Sequence, residues 1–271
     1  MKEEKNIPLV SIIMGVYNEE KYIEKCLVSI INQTYTNWEF IICDDCSTDN
    51  TANILKKYEK IDERISVIKN KTNQRLASSL NRCLKKANGK YIARMDADDE
   101  SLPTRLQEQV DFLETHEDID VVGCNRMIFD DNGEYGIRGS IEKPTKDILL
   151  KRTPFAHPTI MMKKTVYDQL GGYTVSKKTM RSEDLDLWIR FYSHGFKGYN
   201  IQKVLYRYRE GKQDLKKRTL SAAIQTSKVY FQGYKILNIP FYKRIWGIKP
   251  IIAALIPNVI MNVYYKMSLR G

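Results

Sequence analysis

Apolar residues along this 271-residue chain follow two alternating patterns. "LVSIIMGVY" (9–17) is a nearly unbroken run rich in β-branched residues, the mark of a strand buried on both faces. The next stretch, "NEEKYIEKCLVSIINQT", places Tyr22, Ile23, Cys26, Leu27, Ile30 and Ile31 at helical spacing. The alternation then repeats. "WEFIICDD" (38–45) predicts a second buried strand, and "STDNTANILKKYEK" a helix behind capping residues. "ISVIK" predicts a third strand, and "LASSLNRCLKKANG" a helix closed by Gly89. "KYIARM" predicts a fourth strand, and "SLPTRLQEQVDFLETH" a helix with Pro103 near its first position. Four such alternations predict an α/β fold: a mostly parallel sheet, flanked by helices, with right-handed crossovers.

The second half is less regular. "DVVGCNRMIF" predicts a strand and "DDNGEYG" a hairpin turn. "HPTIMMKK" predicts another strand, and "TVYDQLGGY" a short helix ended by Gly171 and Gly172. "SEDLDLWIRFYSHG" predicts a helix capped at or near Ser182. Acids crowd its first turn, and Leu187, Trp188, Phe191 and Tyr192 form its buried face. "KGYNIQKVLYRYR" predicts a strand, and Leu215 to Leu237 reads as a basic helix. The expected division is a sheet domain over 1–210 and a basic helical extension over 211–271.

Parallel sheets bind ligands beyond the carboxyl ends of their strands. Three polar clusters stand there: "YNEE" after the first strand, "DDCSTDN" after the second and "DADDE" after the fourth. The last belongs to "RMDADDE" (94–100), where Asp96, Asp98, Asp99 and Glu100 crowd one strand end. Carboxylates this close repel and raise one another's pKa. A positive group, either a metal ion or an arginine cluster, is expected to answer them.

Charge sharpens this picture. The formal net charge is +11, yet it is unevenly placed. From Asn200 to Gly271 there are 14 Lys and Arg against two acids. The excess points to an anionic partner: membrane lipid, a phosphorylated substrate or nucleic acid. "FYKRIWGIKPIIAALIPNVIMNVYYKMSLR" (241–270) mixes apolar, aromatic and cationic residues, with Pro250 and Pro257 breaking it into short pieces. It suits peripheral contact with an anionic membrane, or a helical pair packed on the domain. The segment carries no recognisable nucleic-acid-binding module, so no nucleic acid is expected. "MKEEKNIPLV" does not resemble a secretory signal, and no apolar stretch is long enough for an ordinary membrane span. The five cysteines, odd in number and mostly in apolar patterns, read as reduced core residues. These features lead to an expected cytoplasmic location, peripheral on the inner face of the membrane.

"VSIIMGVYNEEKYIEKCLVSIINQT", "WEFIICDDCSTDNT", "NGKYIARMDADDESLPTRLQEQVDFL", "HPTIMMKK", "GGY" and "SEDLDLWIRF" together resemble the inverting glycosyltransferases of family 2, which have the GT-A fold. The resemblance runs from about Val10 to Tyr208. Bacterial members often build capsule, exopolysaccharide or lipopolysaccharide chains. The resemblance implies a UDP-sugar donor and a glycan or lipid-linked oligosaccharide acceptor. It makes Asp96-Ala97-Asp98 the D-x-D motif, with Asp98 and Asp96 holding Mn²⁺ or Mg²⁺ on the donor diphosphate. Hard divalent ions prefer carboxylate oxygen, and bound metal stabilises a departing nucleoside diphosphate. A competing role is a helix cap, with the acids favoured by the helix dipole.

The remaining site residues also follow from the resemblance. In "CDDCSTDN", Asp45 would accept the uracil N–H while Asp44 and Ser47 shape the turn. Cys46 stands where the family usually has glycine, an awkward residue if positive φ is required. Gly15, Val16, Tyr17 and Glu19 would line the base and ribose; Tyr17 otherwise packs in the core. Arg75, where members often have glycine, would reach a phosphate or lie in solvent. Arg94 would contact donor sugar, neutralise the acidic cluster or form a structural ion pair. Asp184 would be the base that takes the acceptor proton, with Glu183 orienting it. His157, Arg181 and Trp188 are candidates for the acceptor side.

Two other functions compete. A sugar nucleotidyltransferase should have a glycine-rich loop after the first strand, and "YNEEKYIEK" has no glycine. A non-catalytic nucleotide-sugar binder would not require the Glu183–Asp184 pair.

Overall fold

The computed structural model describes residues 7–210 and 219–257. One nine-stranded sheet runs through it, in the order β3-β2-β1-β4-β8-β6-β9-β5, with β7 added to β6. The first half is parallel: β1 (Val10–Val16) lies between β2 (Trp38–Asp44) and β4 (Tyr91–Arg94), and β3 (Ile65–Lys69) flanks β2. The second half is mixed. β8 (Met161–Lys163) runs antiparallel to β4 and to β6 (Val121–Asp130), while β9 (Gly198–Arg209) runs parallel to β6. β7 (Gly133–Arg138) forms the expected hairpin with β6.

Strand alternation explains the continuous apolar runs. Val10, Ile12, Met14 and Val16 enter one core, while Ile13 enters the other. The first core is covered by α1 (Ile23–Ile31), α2 (Thr51–Ile61) and α4 (Arg105–Thr115). The second is covered by α3 (Leu76–Lys86), α5 (Lys164–Leu170) and α6 (Glu183–Ser193). Helix α7 (Leu220–Ile236) joins it through Val229 and Tyr234, and Gly233 lets α7 close on Ile189. The basic segment therefore begins as part of the domain's packing, followed by α8 (Lys249–Leu255).

Several boundaries differ from the sequence reading. Helix α1 starts at Ile23, because 17–22 forms a loop containing Asn18 at φ +55. Gly89 lies beyond the end of α3: a Cβ there would sit 2.5 Å from Ser11 N, so glycine permits contact with β1. In "HPTIMMKK", His157–Thr159 is a 3-10 turn, and only Met161–Lys163 is strand. Glu100–Ser101 forms β5, an unexpected strand whose pairing with β9 pins the acidic motif. The expected helical start at Leu215 and the apolar tail beyond 257 lie outside the described residues.

Candidate active site

The ends of β1 and β2 lie side by side, with Val16 opposite Asp44. Their loops are laced together. Asp44 Oδ1 accepts Ser47 N at 2.9 Å, and Ser47 Oγ accepts Asn18 N at 3.1 Å. Asp45 holds the neighbouring 70–75 loop: it accepts from Asn70 Nδ2, Gln74 N and Arg75 N at 2.6, 2.7 and 2.7 Å. Three of its roughly four acceptor positions are thus engaged within the chain. The sequence reading gave loop shaping to Asp44 and an open acceptor to Asp45. In the folded chain Asp44 does shape the turn, through Ser47, and Asp45 organises the 70–75 loop as well; buried Asp44 Oδ2 accepts no hydrogen bond and has Lys69 Nζ 4.0 Å away.

Backbone conformation gathers around the same loops. Cys46 has φ +67 and Arg75 φ +69, at two positions where the resemblance suggested glycine. Asn18 (φ +55) and Arg181 (φ +65) adopt this rare region too. Such strain in non-glycine residues persists where surrounding bonds enforce it, and it concentrates at functional sites. Tyr17 is 45% exposed at the strand end, which excludes its alternative role in the core. Glu19 anchors the loop through its N–H to Thr51 Oγ1 at 2.8 Å. Of the two other expected lining residues, Val16 is buried, whereas Gly15 is half-buried, and a Cβ there would meet Leu76 and Ser79 of α3.

The acidic motif is answered largely by arginines. Arg94 Nη1 lies 2.5 Å from Asp96 Oδ1, and Arg207 pairs with Glu100. Arg209 donates its backbone N–H to Asp99 Oδ1 at 2.6 Å and its Nε to the Asp98 carbonyl at 3.0 Å. Asp99 is buried; desolvation and the neighbouring Asp98 and Asp96 push its carboxyl well above the usual range. Its place is structural, against β9. Asp96 and Asp98 are half-buried, and Ala97 between them is buried in the first core. Arg94 is itself only 3% exposed, so its ion pair with Asp96 is built into the site.

Glu183 and Asp184 open α6. Ser182 occupies the capping position, but its hydroxyl bonds Thr226 of α7 at 2.8 Å instead of capping. Arg94, Asp96, His157, Glu183 and Asp184 line one cavity of about 340 Å³. Desolvation raises the Asp184 pKa, with Glu183 adding to it, against the lowering effects of the Leu185 N–H and Arg94. A helix N-terminus favours the ionised form of a carboxylate; burial outweighs it here. A carboxylate raised in this way is a stronger base.

The proposed acceptor residues separate. Trp188 is fully buried and packs against Phe155, His157 and Phe191, so its place on the acceptor side is corrected to the core. This agrees with its reading as part of the buried face of α6. Arg181 is exposed two residues before Glu183. His157 lines the cavity and bonds Tyr173 Oη through Nε2 at 2.9 Å. Burial, and then Arg94, hold its pKa well below the ordinary value, which keeps the ring neutral. Tyr173, Arg126, Arg138 and Tyr208 also line the cavity, and the sequence reading missed them. The "GGY" motif offered a signal for Tyr173: Gly172 (φ +74) abuts Asn81, whose Oδ1 accepts Tyr173 N at 2.8 Å.

Residues 11–200 match the model of glycosyl transferase family 2. The chain belongs to that family. It is 46% identical over 260 residues to EpsE of Bacillus subtilis, a candidate glycosyltransferase, covering 96% of this chain and 94% of EpsE. It is 36% identical over 201 residues to WfaP of Escherichia coli, covering 74% and 77% of the two chains. WfaP is named a UDP-Glc:α-D-GlcNAc-diphosphoundecaprenol β-1,3-glucosyltransferase. Among solved structures, TarS of S. aureus with UDP-GlcNAc superposes with a TM-score of 0.70 at 20% identity, covering 91% of this chain and 71% of that one. The mannosyltransferase PcManGT of Pyrobaculum calidifontis, with GDP-Man and Mn²⁺, gives 0.67 at 19% identity, covering 93% and 75%. The fold is GT-A, and this family 2 glycosyltransferase has relatives in polysaccharide and lipid-linked sugar synthesis.

Proposed function

We propose that this glycosyltransferase moves a sugar from a UDP-sugar to a hydroxyl of a glycan or lipid-linked acceptor, with inversion, during synthesis of a cell-surface polysaccharide. The observation that carries the reading is the convergence of Asp96, Glu183 and Asp184 on one cavity beside the acidic strand end. Tyr17 and the Asp44–Asp45 loop form the nucleoside end, where Asp44 Oδ2 accepts no hydrogen bond within the chain, Lys69 Nζ standing 4.0 Å away, and is the acceptor for a base N–H. Arg75, exposed and tied to Asp45 through its N–H, is available to a donor phosphate.

The motif's hard oxygen donors fit Mn²⁺ or Mg²⁺. Asp98 would hold the ion, assisted by Asp96, whose charge is already shared with Arg94. Bound there, the ion would neutralise charge developing on the departing UDP. Asp184 takes the proton from the acceptor hydroxyl as that oxygen attacks the anomeric carbon, and Glu183 keeps it basic by repulsion. Neutral His157, held by Tyr173, shapes the cavity wall on the acceptor side and does not supply charge. The direct test is thermal melting with UDP, GDP and CDP, each with and without Mn²⁺. A stabilisation specific to UDP with metal is expected; an equal response to all three would sink the uridine assignment.

The reading extends to location. No helix among the described residues is long and apolar enough to cross a membrane. Phe241, Tyr242 and Trp246 are 86%, 74% and 48% exposed, interleaved with Lys243, Arg244 and Lys249. Aromatic side chains entering the headgroup region beside cations suit peripheral contact with an anionic bilayer on the cytoplasmic side. Co-sedimentation with phosphatidylglycerol vesicles should fall sharply in Trp246→Ser/Phe241→Ser. Equal binding to neutral vesicles would remove the electrostatic part of this proposal.

A further inference from the structure

The β6–β7 hairpin carries an arrangement that donor binding and the catalytic carboxylates leave unused. Arg126 and Arg138 are direct cross-strand partners. Like charges opposite each other on antiparallel strands destabilise the pair. Arg138 is compensated, because its Nη1 and Nη2 meet Glu210 at 3.1 and 3.0 Å. Arg126 is not. It is half-buried and makes no ion pair or hydrogen bond among the described residues. Its guanidinium lies 5.7 Å from the centre of the Tyr208 ring, and its Nε is shut off from solvent without an acceptor. Burial and then the Arg138 charge lower its pKa, against smaller raising effects of Tyr208 and of Glu210, which also lines the cavity. A guanidinium kept in such a place without a directly paired anion is costly.

Both arginines line the cavity that holds Asp96, Glu183 and Asp184. Sheet order fixes which side they occupy. The nucleoside loops follow β1 and β2, the acidic motif follows β4, and the arginines lie beyond β8, on β6 and β7. They therefore stand across the acidic motif from the nucleoside end. We infer that Arg126, assisted by Arg138, forms an anion subsite for the acceptor, binding a phosphate or carboxylate group near the hydroxyl that receives the sugar. Guanidinium matches either oxoanion with paired hydrogen bonds. The inference rests on the proposed placement of the donor at β1 and β2.

The test uses the full chain saturated with UDP and Mg²⁺. It is titrated with inorganic phosphate or glucuronate, against sodium chloride at equal ionic strength, and melting is followed. Phosphate, glucuronate or both should raise the melting temperature further. Phosphate alone would assign a phosphorylated acceptor, and glucuronate alone a uronic-type sugar. Arg126→Gln should weaken this response about tenfold or more, while the shift caused by UDP stays unchanged. Arg126→Lys should recover part of it, which separates charge from misfolding. No response beyond chloride, a full response in Arg126→Gln, or an equal loss of UDP binding would overturn the subsite. If UDP gives no shift, the same titration without UDP distinguishes the two failures: an anion response lost in Arg126→Gln keeps the subsite and rejects the donor placement.

Discussion

Asp184→Asn should reduce sugar transfer by about 10² to 10⁴-fold, the range lost with a positioned general base. Binding of UDP with metal should survive, because Asp184 makes no described contact with the nucleoside loops. The pH profile gives a second reading. The base acts only when deprotonated, and burial with Glu183 raises its pKa. The acidic fall in kcat should therefore begin above the ordinary aspartate value of about 3.9. Glu183→Gln removes a neighbouring negative charge, lowers the Asp184 pKa and should move that limb to lower pH. Residual transfer in Asp184→Asn with the wild-type acidic limb would place the base elsewhere.

Much of the frame was legible because its pattern is local. Val10–Val16 and Trp38–Asp44 are continuous apolar runs because they feed two cores. Cys46 was suspect from its motif position alone, and its φ of +67 bears that suspicion out. The site's electrostatics were less legible. Arg207 and Arg209 meet "DADDE" only because β9 returns beside β5, more than 100 residues later in sequence. Arg126 and Arg138 were visible as charges in a hairpin; their shared cavity depends on register. Trp188 illustrates the opposite limit. Helical spacing placed it on a buried face, and it was also a candidate for the acceptor side; packing decided for the core.

These arginines reshape the case for a metal. Four carboxylates without counter-ions would make a cation necessary for folding. Here Asp96 and Glu100 have arginine partners, and Asp99 is tied to β9. The motif is therefore compensated within the chain, and a metal bound there would serve catalysis rather than folding. Asp98→Ala should accordingly still fold in the absence of ligand, yet lose the metal-dependent rise caused by UDP. Transfer should fall about 10³-fold or more, as expected when several kcal/mol of charge stabilisation is removed. Asp96→Asn should behave differently: it leaves Arg94 buried without its carboxylate, so stability should fall alongside activity. Both variants are read by melting with UDP, with and without Mn²⁺, and by transfer assay. An Asp98→Ala protein that retains the metal-dependent UDP shift would move the ion to other ligands. One that melts far below wild type without ligand would show that arginine compensation is insufficient, and that Asp98 serves the fold before it serves the reaction.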